Sequence, residues 1–124
     1  MRGLPFSSLS PGLIPALALG ASLLGGCANG PSCQTACQKL FQSDQCNITH
    51  PGESQQEQQN DCLLACADAL DNPGPQGNYE PTERATGSES VTLETDQQAA
   101  AWMECVEATS CEYLSDGYCA PVSF

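Results

Sequence analysis

Two short stretches, CQTAC at residues 33–37 and CLLAC at residues 62–66, decide the fold of this chain. Each is a Cys-x-x-x-Cys motif, and four residues are slightly more than one helical turn. Both cysteines of a motif therefore share one helix face, about 6 Å apart along the axis. On two antiparallel helices, the first cysteine of one motif faces the second cysteine of the other at normal disulfide geometry. The motifs thus predict a helical hairpin closed by two disulfides, Cys33–Cys66 and Cys37–Cys62.

Capping residues and apolar spacing predict a helix around each motif. Ser32 is a suitable N-cap for the first helix, which we expect to end near residues 43–44. Ser54 and Glu57 form a capping-box pattern at the start of the second helix, which the sequence NPGP at residues 72–75 terminates. The predicted buried stripes are Cys33, Ala36, Cys37, Leu40 and Phe41 in the first helix, and Cys62, Leu63, Cys66, Ala69 and Leu70 in the second.

The rest of the chain predicts one further helix and a short final turn. The sequence TDQQ at residues 95–98 fits another capping box, and a turn or helix at residues 111–115 precedes an irregular tail at residues 119–124. Residues 73–94 contain few large apolar groups, so we expect a long mobile loop there. The predicted buried residues of the third helix are Ala99, Trp102, Met103, Cys105 and Val106. The predicted fold is all-α, a small disulfide-stapled hairpin or three-helix bundle with a long flexible loop and a short C-terminal turn.

Four further cysteines allow three pairings. If the third helix runs parallel to the first, its C-terminal end approaches Cys46 and the last segment folds back on the third helix. The chain has too few large apolar side chains for a conventional core, so its stability depends on the disulfides. In a loop-entropy model each hairpin bridge contributes about 3 to 4 kcal/mol to the free energy of unfolding. The parallel arrangement favours two pairs, Cys46–Cys111 and Cys105–Cys119.

The N-terminal residues 1–26 have the pattern of a secretory signal. A single positive charge at Arg2 precedes an apolar stretch at residues 13–24, which is shorter than the ~20 apolar residues that cross a bilayer. The sequence LGGC at residues 24–27 resembles a bacterial lipobox. That resemblance implies cleavage before Cys27, a diacylglyceryl group on its thiol, and an acyl chain such as palmitate on its new amino terminus.

Lipidation at Cys27 is also favoured by the number of cysteines. Nine is an odd number for an exported protein, and assigning Cys27 to lipid leaves eight for four disulfides. Two or more acyl chains give durable membrane attachment. We therefore predict a lipidated tether at residues 27–31, a cysteine-rich domain at residues 32–124, and a membrane as partner. Ala28 favours the outer membrane of the cell envelope.

The strongly acidic composition excludes nucleic acid as a partner. Fifteen acidic side chains stand against three basic ones, and nucleic acids are bound chiefly through lysine and arginine. Export to an oxidising compartment favours disulfides over zinc sites, and no cofactor is predicted. We interpret His50, the only histidine, as an exposed loop residue without a catalytic partner. Asp68, Asp71 and Asn72 lack the spacing of a calcium loop and are expected on a solvated helix face.

Two resemblances accompany these patterns. Residues 33–66 resemble the twin Cys-x-x-x-Cys hairpins of small mitochondrial intermembrane-space chaperones, which implies hairpin geometry only. The mature chain resembles small cysteine-rich lipoproteins of myxobacteria, which have two such pairs with a cysteine between them and a segment similar to residues 103–106 (MECV) before two last cysteines. This resemblance implies a scaffold and an envelope location and indicates no activity. Because the sequence also offers no catalytic set, we predict a non-enzymatic structural or interaction module. The alternative is a soluble secreted disulfide miniprotein that acts as a toxin, inhibitor or ligand.

Overall fold

The computed structural model describes residues 30–86, 91–122 and 124. The predicted signal sequence, Cys27 and residues 87–90 lie outside these ranges. The described part contains helices and no strand, which confirms the prediction of an all-α fold. The helices are α1 (Cys33–Phe41), α2 (Gln55–Leu70), α3 (Asp96–Ala108) and α4 (Cys111–Ser115).

The first two helices begin with capping boxes. The Ser54 hydroxyl accepts from the Glu57 N–H, and the Glu57 carboxylate accepts from the Ser54 N–H at 2.7 Å. Ser32 and Thr35 form the equivalent box in α1, where the sequence had indicated only the N-cap. Both boxes satisfy N–H groups that a helix start leaves unpaired. α1 ends at Phe41 because the next residue is already extended, slightly before the predicted end at residues 43–44.

The third helix has an N-cap but not the predicted capping box. The Thr95 hydroxyl accepts from the Gln98 N–H at 3.3 Å, as an N-cap does. The Gln98 side chain, however, accepts from the N–H of Glu94, one residue before the cap. A glutamine side chain is long enough to reach past the N-cap to Glu94. The pattern TDQQ therefore predicted the correct start of the helix, but the predicted bond from the Thr95 N–H to the Gln98 side chain was wrong.

The three longer helices pack against one another, with α2 antiparallel to the other two. The N–H of Asp96, at the start of α3, donates to the carbonyl of Asn72 just beyond the end of α2, at 3.0 Å. At the opposite end, Lys39 in the last turn of α1 contacts the carbonyl of Val106 near the end of α3. Helix α3 is therefore parallel to α1, which was the condition for the favoured cysteine pairing.

Four disulfides join these elements, with the same partners as the sequence favoured. Two bridge α1 to α2, with Cα–Cα distances of 5.7 and 5.9 Å. One joins the turn after α1 to the start of α4, and one joins α3 to the C-terminal tail. The bridges are Cys33–Cys66, Cys37–Cys62, Cys46–Cys111 and Cys105–Cys119.

The core lies between α1, α2 and α3, with Trp102 at its centre. Trp102 is fully buried, its indole N–H donates to the Pro121 carbonyl at 3.0 Å, and its ring meets Phe124 edge-on. All five predicted core residues of α3 are buried, whereas Leu70 at the end of α2 is 41% exposed, against the prediction. Leu70 follows Ala69 by one residue, and this rotation carries it from the buried face towards solvent.

The segment after α2 packs more closely than its composition had indicated. The carbonyl of Pro81 accepts from the Cys119 N–H at 2.8 Å, and Ala85 donates to the Gly117 carbonyl at 3.0 Å. Tyr79 donates its hydroxyl proton to the Ala120 carbonyl, and Leu93 is buried. The prediction of a mobile loop at residues 73–94 assumed that order requires many large apolar groups. Hydrogen bonds to the C-terminal tail supply the contacts in the described part instead.

Candidate functional site

The predicted lipid-bearing residue, Cys27, lies outside the described residues, but the structure shows which end of the domain holds Gly30, the first described residue. The described chain starts at Gly30, and Ser32 already caps α1. The start of α1, the end of α2 and the start of α3 lie together at this end of the bundle. We call it the tether end. The turn after α1 and helix α4 form the opposite, distal end.

The surface of the domain is rich in carboxylates. Almost every described aspartate and glutamate is exposed, and Asp96 is half-buried. The hydrogen bond from the Ser54 backbone N–H, together with the bond to the Ser54 side chain, lowers the pKa of Glu57, so its charge persists at more acidic pH. Such a surface carries a negative electrostatic potential.

The two described cationic side chains are both used within the fold. Lys39 donates to the carbonyls of Val106, Glu107 and Thr109 at 2.7 to 2.8 Å. Arg84 donates from Nε to the carbonyl of Asp116, the C-cap of α4, at 2.7 Å. Because an ammonium has three donors, the Lys39 head group has none left for a carboxylate. Both cations lie where a helix carries its partial negative charge.

The contact between Lys39 and α3 leads to a stability prediction. Replacing Lys39 by methionine retains most of the aliphatic chain and removes the ammonium, which leaves three carbonyls without a donor. We expect the free energy of unfolding to fall by about 1 to 3 kcal/mol. Urea denaturation followed by far-UV circular dichroism measures this loss. Lys39→Arg is the control, because it retains the charge but its planar fork fits three converging carbonyls less well. A Lys39→Met loss below about 0.5 kcal/mol would contradict the assigned role.

A groove of about 520 Å³ lies between residues 78–86 and the approach to α3. Tyr79 borders it, and burial raises the pKa of that phenol above its usual value. Three of the polar side chains around the groove bond within the fold: Arg84 donates to the Asp116 carbonyl, Tyr79 donates to the Ala120 carbonyl, and Gln98 accepts from the Glu94 N–H.

His50 has a structural position instead of the exposed one that we expected. Its ring is half-buried, lies 6.4 Å from the Phe41 ring between centroids, and has Nε2 3.3 Å from the Val122 carbonyl. In the amide orientation that satisfies both neighbours, the buried Gln58 side chain accepts from the backbone N–H of His50 and donates to the Ile48 carbonyl. The histidine thus helps to join the loop after α1 to α2 and the tail.

Of the three residues considered for calcium, only Asn72 bonds through its side chain within the fold, whereas Asp68 and Asp71 lie on the solvated surface as predicted. Asn72 uses its side-chain amide to donate to the Glu94 carbonyl and its own carbonyl to accept from Asp96. Asp68 and Asp71 remain exposed on the surface of α2 and its C-cap. In the part of the chain that the structure describes, no group of three histidine, cysteine, aspartate or glutamate residues is arranged to hold a metal ion.

Among the residues described, no helix combines the length and the apolar character needed to span a bilayer. The chain matches no protein-family model, and no curated protein or solved structure is significantly similar to it. The geometry defines a small, covalently stapled helical domain with an acidic surface. The sequence had not indicated the contacts of Lys39, Tyr79, Arg84 and His50, since the carbonyls they bind are distant in the chain.

Proposed function

We propose that this chain is a bacterial cell-envelope lipoprotein, anchored through lipid on Cys27, and that its helical domain is a non-enzymatic structural or interaction module. The cysteine arrangement carries the proposal. Eight of the nine cysteines form four disulfides with one another, and Cys27 is the ninth. It follows LGG in a pattern similar to a lipobox, in which cysteine is the residue that carries the thioether.

The domain suits a role close to a membrane surface. Its first helix begins at Cys33, so only a few residues separate a lipid on Cys27 from the folded bundle. A short tether places the tether end towards the bilayer and the distal end away from it. Four bridges keep the domain folded without a large core, and its exposed carboxylates favour cationic partners. We propose the outer membrane as its location.

The test compares the native chain with Cys27→Ser after expression in a bacterium that processes lipoproteins. We expect the native chain to enter the detergent phase and its mature N-terminal peptide to carry a diacylglyceryl and an acyl group. Serine has no thiol to form the thioether, so the variant should stay unmodified. Detergent phase separation and mass spectrometry of the terminal peptide measure both. The variant retains all four disulfides, so circular dichroism should show an unchanged domain.

The alternative is a soluble secreted miniprotein that acts as a toxin, inhibitor or ligand. The density of disulfides favours it, because small exported domains of this kind are often stapled ligands or inhibitors. It predicts an unmodified mature terminus and release into the medium without detergent. That result with the native chain would overturn the lipoprotein proposal.

A further inference from the structure

The four disulfides differ in how far solvent reaches them. Cys37 and Cys62 are both fully buried, and so is one residue in each of two other bridges, Cys66 and Cys119. The bridge Cys46–Cys111 is the exception, because Cys111 is exposed and Cys46 is half-buried. It lies at the distal end, between a turn and the first residue of a five-residue helix.

We propose that Cys46–Cys111 is a site of thiol–disulfide exchange, which a dithiol reductant opens while the other three bridges stay oxidised. Attack on a disulfide requires a thiolate to approach one sulfur along the S–S axis, so access controls the rate. Cys111 offers that approach from solvent. The inference depends on the fold alone and holds with or without lipid on Cys27.

The exchange proceeds in two steps that balance. A thiolate of the reductant attacks Sγ of Cys111, the S–S bond breaks, and Cys46 leaves as a thiolate. The second thiolate of the reductant then attacks the reductant sulfur that is bonded to Cys111. This breaks the mixed disulfide and releases Cys111 as a thiolate. The reductant becomes a cyclic or intramolecular disulfide, and its two electrons and two protons pass to the two cysteines.

The surrounding contacts hold both cysteines in place after the bond opens. The Cys46 N–H donates to the Lys39 carbonyl at 3.0 Å, and the ammonium of the same lysine donates to the Thr109 carbonyl at 2.8 Å. Thr109 is two residues before Cys111. On the other side of the bridge, fully buried Leu114 anchors α4 in the core. Because Lys39 contacts the chain on both sides, the two thiols stay near each other and can re-form the bond intramolecularly.

The experiment follows the order in which the bridges are reduced. Pre-existing thiols in the purified chain are blocked with N-ethylmaleimide, dithiothreitol is added, and samples are quenched with iodoacetamide for peptide mapping. We expect Cys46 and Cys111 to be alkylated at least about tenfold faster than any other pair, with the helical signal retained. The proposal is overturned if Cys33–Cys66 or Cys105–Cys119 opens first, or if all four bridges open together as the helices unfold.

Two matched variants sharpen the result. Cys105→Ser/Cys119→Ser removes a different bridge near α4 and should keep the fast phase, whereas Cys46→Ser/Cys111→Ser should lack it. If either variant fails to fold, the order of alkylation in the native chain decides alone. After the reductant is removed, the bond should re-form at a rate independent of protein concentration, and Lys39→Met should slow it several-fold. An unchanged rate in Lys39→Met would refute the proposed role of the lysine in re-forming the bond.

Discussion

Replacing Cys37 and Cys62 together by alanine is expected to lower the free energy of unfolding by about 4 kcal/mol. About 2 to 3 kcal/mol of this is the loop entropy that the bridge removes from the unfolded chain while Cys33–Cys66 remains. The rest is packing, because both cysteines are fully buried and alanine leaves a cavity where the sulfurs were. A domain of this size has about 5 kcal/mol in total, so the variant should lie close to its unfolding threshold.

The matched control is Cys33→Ala/Cys66→Ala. The two hairpin bridges span 33 and 25 residues, and either one closes nearly the same short loop when the other is present, so the entropic losses should be almost equal. Cys33 is half-buried, however, and its replacement leaves less of a cavity. Urea denaturation should show a loss smaller by about 1 kcal/mol in the control. Equal losses would mean that the packing of the Cys37 and Cys62 sulfurs contributes no more than that of the Cys33 and Cys66 sulfurs.

Trp102→Ala is expected to cost about 3 to 5 kcal/mol, since this residue is the largest fully buried side chain. The substitution removes contacts in the core, the edge-on contact with Phe124, and the donor to the Pro121 carbonyl. The C-terminal tail should lose its attachment to α3 as well. Chemical denaturation followed by circular dichroism measures the loss, and protease cleavage of the tail reports its release.

Trp102→Phe separates packing from hydrogen bonding at the same position. Phenylalanine keeps an aromatic ring in the core but leaves the Pro121 carbonyl without its donor, so we expect a loss of about 1 to 2 kcal/mol. Leu64→Ala is the surface control, because Leu64 is 64% exposed on α2 and should change stability by less than about 0.5 kcal/mol. If Trp102→Ala were as mild as Leu64→Ala, the tail and core would not depend on the indole.

The local elements could be predicted from the sequence because their causes lie within a few residues of one another. Ser54 and Glu57 indicated the start of α2, and the spacing of Ala99, Trp102, Met103 and Val106 indicated the buried face of α3. Errors arose where one residue of rotation or reach mattered. Leu70 lies just beyond the buried stripe of α2. The Gln98 side chain accepts from the N–H of Glu94 instead of the N–H of Thr95, which the predicted capping box required.

The residues of the candidate site also fall into two groups: those that the sequence indicated and those that only the tertiary structure showed. Cys27 could be singled out because the LGGC pattern and the odd number of cysteines are properties of the sequence. The difference in exposure among the four bridges could not, because nothing near Cys46 or Cys111 indicates which helices will cover them. His50 illustrates the same limit, since its neighbours Phe41 and Val122 belong to other segments of the chain.

The sequence by itself determined where the three longer helices begin and how the hairpin cysteines pair, since helical periodicity places cysteines four residues apart on one face whatever the rest of the chain does. Only the tertiary structure decided how Lys39 caps α3, how residues 79–85 bind the C-terminal tail, and which disulfide meets solvent. These contacts join residues far apart in the chain. The hydrogen bonds among them are accepted by backbone carbonyls, which every residue has, so no pattern of side chains in the sequence predicts them.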